Sequence, residues 1–349
     1  TSSQPFMTRH IILSLLLLLP FTVGAADWMA RLSPDTRVCR LLIPGTHDAA
    51  TGDGFMPADT VFGRTIAQTQ EKSIAGQWQA GVRAFDLRPA VRTETDGSES
   101  LHLYHGEFAT TRSFGSVMRQ IADSVTAHPT EFAIIIMRHE SSPSRHEARW
   151  AELMRQSLDS MGGVLADFRP DLTVADLRGR ILVISRDSYG DVPRGGYAGG
   201  WSHSRRLADQ TGAWIKGADP SVSARLMVQD FYDTSLPGGA RHKRAAIKAM
   251  FGEKRRADLA SPDACVWMIN HASGYSLTIS GIADEPVSLS QGYRDNAAHT
   301  NAFILRRLRS SDRLSGIVLM DFAATDLSGG YDVMGKTLVE AMIERCCEL

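Results

Sequence analysis

The sequence predicts an α/β chain folded as a single barrel of the (β/α)8, TIM type, distorted or partly open, and three observations lead there. Near-continuous apolar runs of strand length recur through the chain, and amphipathic stretches of helical length separate most of them. No repeat, low-complexity tract or Pro/Gly/Ser linker divides it beyond the N-terminal segment. A strand buried on both faces carries no polar alternation, so such runs point to a parallel sheet covered by helices. With 349 residues, 43% hydrophobic and 22% charged, the chain can fill one core of that size.

The elements follow in order. Met7, Arg9 and His10 precede the apolar run 11–19, then Pro20 and the small residues Gly24, Ala25 and Ala26. This is the pattern of a secretory signal peptide over 7–26, too short in its apolar part for a membrane span, and it leaves one domain over 27–349. Predicted strands lie at 38–43, 82–88, 101–105, 132–138, 181–186, 225–231, 265–271 and 316–322. Helical periodicity marks 69–79, 113–127, 146–161, 241–254, 297–309 and 335–346. The crossover between 186 and 225 is Gly-rich and poorly helical, which is why a distorted barrel is expected over a regular one.

Net charge is −1, so no basic field or nucleic-acid signature argues for a nucleic-acid partner. The cysteines Cys39, Cys265, Cys346 and Cys347 are too few for a disulfide scaffold. Export permits one or two bridges whose pairing stays open, and no CxxC spacing suggests zinc.

The chemistry is expected where apolar runs end. Residues 42–50 break at Pro44-Gly45 and then present His47 beside Asp48. Strand alternation puts Asp86 and Arg88 on one face, His105 opposite His102, and Asp230 with Tyr232, while Asp321 closes the run 317–320. With all sets pointing inward, one mouth gathers His47, Asp48, Asp86, Arg88, His105, Arg138, Arg186, Asp230, Tyr232 and Asp321. Two histidines with carboxylate partners suit phosphodiester cleavage, one imidazole taking the nucleophile's proton and the other protonating the leaving oxygen. A central arginine neutralises the phosphate. The plainer alternatives are a structural histidine at a strand end, buried ion pairs within the barrel, and Tyr232 as a core aromatic. His102, His139 and His146 read as surface or packing residues, and 241–256 as a solvated basic helix face. The stretch 190–201 reads as an ordinary loop; it lacks a phosphate loop's lysine and helix, and as a rim it would expose Tyr197 and Trp201.

The motifs at 43–48 (IPGTHD), 81–88 (GVRAFDLR) and 104–106 (YHG) resemble those of bacterial-type phosphatidylinositol-specific phospholipase C, the X-domain family. Weaker likenesses at 184–186, 228–232 and 318–322 fall in the right order, so the resemblance runs from about Trp28 to the C-terminal helix. It implies His47 as general base supported by Asp321, His105 as general acid supported by Asp48, and Arg88 on the phosphate. It also implies that Asp86, Arg138, Arg186 and Asp230 bind the headgroup and that Tyr232 stacks on the ring; bacterial members usually carry lysine at the Arg138 position. Arg88 stands where calcium-dependent eukaryotic relatives carry an acidic ligand, which implies catalysis with no metal or other cofactor. The expected protein is a secreted, monomeric phosphodiesterase working transiently at phosphatidylinositol-containing membranes. It would release diacylglycerol and a cyclic inositol phosphate, with glycosylphosphatidylinositol anchors as a further substrate class. The alternatives are a glycerophosphodiester or sphingolipid diesterase, or an idle lipid- or glycan-binding barrel.

Overall fold

The computed structural model describes residues 25–141, 147–190, 194–201, 210–219, 221–234, 239–275, 279–280, 288–289, 292–310 and 313–348. The expected leader lies outside these except Ala25 and Ala26, which pack on the fold: Arg83 Nη2 donates to the Ala26 carbonyl at 2.6 Å.

The barrel begins with β1 (Leu42–Thr46), buried at every residue. The sequence placed this strand at 38–43; Val38–Arg40 instead forms a 3-10 turn, and the strand continues through Pro44. The Pro44 carbonyl accepts from Arg83 N–H at 3.0 Å on the side of β2 (Ala84–Leu87), which pairs with β1 only from Gly45 onward. The missing proline N–H therefore breaks no ladder bond.

After β2 comes a separate antiparallel sheet of β3 (Pro89–Thr93), β4 (Glu99–His105) and β5 (Phe108–Ser113). The sequence counted 101–105 among the barrel strands, and this is a correction. Leu101 and Leu103 are buried while Ser100, His102 and Tyr104, which alternate with them, are only half-buried, the alternation of a sheet with one covered face. The chain then adds β6 (Ala133–Met137), β7 (Leu165–Ala166), β8 (Ile181–Ser185), β9 (Gly196–Gly199), β10 (Gln210–Lys216), β11 (Ser223–Gln229) and β12 (Val266–His271). The short hairpin β13 (Ile279–Ser280) with β14 (Ser288–Leu289) precedes β15 (Gly316–Met320), and β16 (Leu327–Ser328) pairs β17 (Tyr331–Asp332).

The ring order is β6-β2-β1-β15-β12-β11-β10-β9-β8, closed by β8 pairing β6, with β7 added outside on β8. It is closed, and its distortion sits where the Gly-rich crossover was noted: β10 runs antiparallel to both β9 and β11, while the other ring strands run parallel to one another. Glycine is required there, because a Cβ on Gly199 would come within 2.1 Å of the Trp214 ring. Part of the stretch read as a loop is thus a barrel strand.

The helices are α1 (Thr60–Phe62), α2 (Ile74–Gln79), α3 (Phe114–Ala127), α4 (Trp150–Asp159), α5 (Val174–Leu177), α6 (Gly239–Ala260), α7 (Gly292–Arg309) and α8 (Gly335–Cys347). Ser113 caps α3 by accepting from Ser116 N–H at 3.3 Å, as a serine before an apolar periodic run does. The sequence began α2 at 69, but Ser73 is its cap, because Thr69 and Gln70 are drawn into the barrel mouth. Gln70 Nε2 donates to the carbonyls of His47 (2.9 Å) and Met320 (2.8 Å), and its Oε1 accepts from Ala323 N–H at 3.1 Å. The predicted start of α4 at 146 lies outside the described residues. No helix among those described is long and apolar enough to cross a membrane.

Candidate active site

Parallel strands deliver the residues that follow them to one end of the barrel. His47 and Asp48 leave β1, Asp86 and Arg88 lie on and after β2, and Arg138 and Glu140 follow β6. Arg186 follows β8, Asp230 and Tyr232 follow β11, His271 ends β12 and Asp321 follows β15. His105 arrives from the neighbouring sheet at the end of β4. Asp48 has φ of 44°, the left-handed region that aspartate tolerates better than most residues. That reversal lets the Asp48 side chain turn back onto His47, its neighbour in sequence, from behind the cavity lining.

His47 Nδ1 lies 2.9 Å from Asp321 Oδ1, and Asp321 Oδ2 accepts from Gly274 N–H at 3.2 Å. The other imidazole edge, Nε2, is 3.2 Å from Asp48 Oδ2, and the same oxygen is 3.3 Å from His105 Nε2. The two imidazoles stand edge to face with centroids 5.8 Å apart. His105 Nδ1 is 2.6 Å from the Ala67 carbonyl. Because a carbonyl only accepts, that nitrogen carries the proton, and in the neutral ring Nε2 receives the Tyr293 hydroxyl at 3.1 Å. Arg88 lies between acids: Nε is 3.0 Å from Asp48 Oδ1 and Nη2 is 3.0 Å from Asp86 Oδ2. Asp86 Oδ2 also accepts from Asp48 N–H at 3.2 Å.

Burial governs the charges. It pushes His47 well below the usual imidazole range, reinforced by Arg88 and His105, and lowers His105 to about 4, again with Arg88 adding. Burial pushes Asp48 and Asp321 well above the carboxylate range. Asp86 ends below it, because Arg88 and His271 outweigh the same burial. Arg88 is held firmly protonated: burial opposes its charge, but Asp48, Asp86 and Glu140 prevail.

A cavity of about 300 Å³ opens over this floor. Of the ten residues expected from the sequence, His47, Arg88, His105, Arg138, Arg186, Asp230 and Tyr232 line it, while Asp48, Asp86 and Asp321 stand behind those they contact. Arg186 Nη1 lies 3.5 Å from Asp230 Oδ2, and its guanidinium sits 4.1 Å over the Trp201 ring. Trp201 Nε1 donates to Asp230 Oδ2 at 3.0 Å, so the rim tryptophan faces inward. His139 stacks on Trp150 at 4.5 Å and His102 lies 3.6 Å from Glu94, both packing roles.

Sequence reasoning missed Glu140, His271 and Tyr293. The first two were within reach of its own rule, since Glu140 lies two residues beyond Arg138 and His271 ends a run already identified. Tyr293 comes from the first turn of α7 and carries no such signal. His47, Asp48 and Asp86 place potential ligand atoms within 4.8 Å of one another. The Arg88 guanidinium already supplies a positive charge to both of these acids, so a cation there would compete with a fixed one.

Residues 59–187 match the family model described as phosphatidylinositol-specific phospholipase C, X domain. The match takes in Asp86, Arg88, His105, Arg138 and Arg186 and begins beyond His47. A 1-phosphatidylinositol phosphodiesterase of Listeria monocytogenes is 25% identical over 86% of this chain and 82% of its own, and one of Staphylococcus aureus 22% over 89% and 93%. Among solved structures, the phosphatidylinositol-specific phospholipase C of Listeria monocytogenes superposes with a TM-score of 0.64 at 22% identity, covering 93% of this chain and 99% of that one. A mutant of the Staphylococcus aureus enzyme gives 0.68 at 19%, covering 91% and 96%. In motifs, in sequence over most of its length and in barrel fold, the chain is therefore similar to the bacterial phosphatidylinositol-specific phospholipases C, the family its opening motif resembles.

Proposed function

We propose that this protein is a phospholipase C that cleaves phosphatidylinositol to diacylglycerol and a cyclic inositol phosphate, without a metal. One observation carries the reading: two imidazoles 5.8 Å apart, His47 buried and His105 half-buried, share one carboxylate beside an arginine fixed between two acids. His47 Nε2 takes the proton of the inositol 2-hydroxyl as its oxygen attacks phosphorus. His105 Nε2 gives a proton to the diacylglycerol oxygen as the phosphorus–oxygen bond breaks. With the His47 Nδ1 proton donated to Asp321 Oδ1, Nε2 is the open base. Arg88 stabilises charge on the phosphoryl oxygens without reorganising, because Asp48 and Asp86 hold it in place. Arg186 and Asp230, set against Trp201, offer donors and an acceptor to ring hydroxyls, and Tyr232 offers a face. Arg138 and Asp86 complete the headgroup side.

His105 is neutral in the free protein at pH 7. The anionic substrate offsets the Arg88 charge that helps lower it, so binding raises the fraction of His105 carrying the proton to be donated. Membrane contact is transient. Val61 and Phe62 are 73% and 63% exposed, a few residues before the Ala67 carbonyl that holds His105, so an apolar tip stands beside the leaving-group side. We further propose export, action as a monomer and glycosylphosphatidylinositol anchors as substrates, on the leader-like N-terminus and the family resemblance.

The test is phosphorus NMR of the product from phosphatidylinositol micelles in excess chelator. The reading expects a cyclic phosphate signal at an undiminished rate. A headgroup panel with glycerophosphodiester and sphingomyelin separates it from other diesterases, and no turnover on any would favour an idle lipid-binding barrel.

A further inference from the structure

Tyr293, in the first turn of α7, lines the cavity and puts its hydroxyl 3.1 Å from His105 Nε2. That nitrogen is the only one from which His105 can protonate a leaving group, because Nδ1 is spent on the Ala67 carbonyl. Asp48 Oδ2 is nearly as close at 3.3 Å, yet this buried oxygen makes no hydrogen bond among the described residues. The hydrogen-bonding direction of Nε2 is therefore taken by the phenol and not by the carboxylate. The phenol is held there. Its ring lies 5.0 Å from that of Tyr275 and packs on Ala297, Phe322 and Val333. The residues that follow tie the turn down: Arg294 Nε donates to Ser328 Oγ at 2.6 Å, and Asn296 Nδ2 to the Ala272 carbonyl at 3.1 Å. An ester oxygen approaching His105 Nε2 along that direction meets the Tyr293 hydroxyl first.

We infer that Tyr293 is a further catalytic residue of the proposed reaction, its hydroxyl relaying the proton of His105 to the leaving oxygen. The inference rests on the functional reading above. A phenol hydroxyl donates one hydrogen bond and accepts others, so it can receive and give a proton in the same step. Once His105 is protonated on both nitrogens, Nε2 turns from acceptor to donor. The hydroxyl then accepts from Nε2–H and points its own proton at the ester oxygen. As the phosphorus–oxygen bond breaks, the Tyr293 O–H proton passes to the departing oxygen and the Nε2 proton passes to the Tyr293 oxygen. His105 ends neutral, Tyr293 ends as the phenol it began, and diacylglycerol leaves as an alcohol. Burial, reinforced by Asp48 and Asp321, holds the phenol well above its ordinary range, so no phenolate stands between the two transfers and they are concerted. Without the hydroxyl, the ring still fills its place and keeps the ester oxygen out of reach of Nε2.

The experiment compares wild type with Tyr293→Phe, which removes the hydroxyl and keeps the ring packing, on two inositol phosphodiesters. One is phosphatidylinositol in micelles, whose alkoxide leaving group needs a proton; the other is a nitrophenyl ester, whose phenolate leaves without one. The His105 ring nitrogens are followed in the free protein by NMR of histidine-labelled samples. Tyr293→Phe is expected to lose about 100-fold or more in kcat on phosphatidylinositol, to stay close to the wild-type rate on the nitrophenyl ester, and to shift the His105 Nε2 signal. An equal loss on both esters would mark a structural role and overturn the inference. So would an unmoved Nε2 signal, and so would an unchanged or faster rate on phosphatidylinositol, the result expected of a tyrosine that only plugs the site. A wild type inert on both esters refutes the substrate reading and the relay with it, whereas an active wild type with an unaffected variant refutes the relay alone.

Discussion

At the scale of single residues, the proposal turns on two imidazoles that burial keeps neutral. His47→Ala and His105→Ala are each expected to lower kcat at least ~100-fold, with circular dichroism unchanged; near wild-type turnover in either would remove that histidine from the mechanism. Arg88→Ala should cost at least roughly 2.7 kcal/mol of transition-state stabilisation, read as a fall in kcat/KM carried mainly by kcat. The pH profile follows from environment. Unperturbed histidines would place both limbs of the bell between about pH 5 and 8. Because burial and Arg88 lower His47 and His105 in the free protein, kcat/KM should peak on the acid side of that range. The basic limb of kcat should lie at higher pH, since bound substrate raises His105. Coincident limbs in the two profiles would contradict that coupling. The residues at strand ends were legible because a turn that breaks an apolar run leaves polar atoms with no packing task. Tyr293 was not, since nothing local in a helix's first turn tells that its hydroxyl reaches an imidazole from 188 residues away.

Among elements, the parallel strands were readable because burial on both faces writes itself as an unbroken apolar run. The error at 101–105 came from the same rule: a short run with Leu101 and Leu103 on one face passes for a fully buried strand. β9 and β10 escaped because their glycines serve close approach, as at Gly199, and so lower the apolar count that identifies strands. Another element-level feature was equally silent. Arg83, just before β2, and Glu131, just before β6, form a fully buried pair at 2.8 Å. Arg83 also donates to the Trp78 and Val82 carbonyls, and Glu131 accepts from Met29 N–H. Arg83→Met alone strands a carboxylate among apolar neighbours and is expected to cost about 3–5 kcal/mol in urea unfolding. Arg83→Met with Glu131→Leu should recover much of that; equal costs for the single and double variants would show that the charges are not coupled.

For the molecule as a whole, acid should unfold the barrel earlier than its carboxylates alone require. His105 and His271 are each lowered to about 4 by burial, whereas an unfolded imidazole titrates near 6.5. Between those values the unfolded chain binds protons that the folded one refuses, so stability falls as pH drops through that window and is unaffected by them above it. Melting temperatures at pH 7 and pH 4.5 measure the loss, and His271→Gln should flatten it. Gln70 carries a different implication. Its one amide ties the carbonyl of His47, near the start of the barrel, to the Met320 carbonyl and the Ala323 N–H on either side of Asp321 near its end. The proposed base and its carboxylate thus come from strands made far apart in time during synthesis, and they meet only when β1 and β15 pair. A nascent or truncated chain lacking β15 carries every other residue of the site and still has no working base. On the proposed mechanism, turnover begins only when the ring is complete.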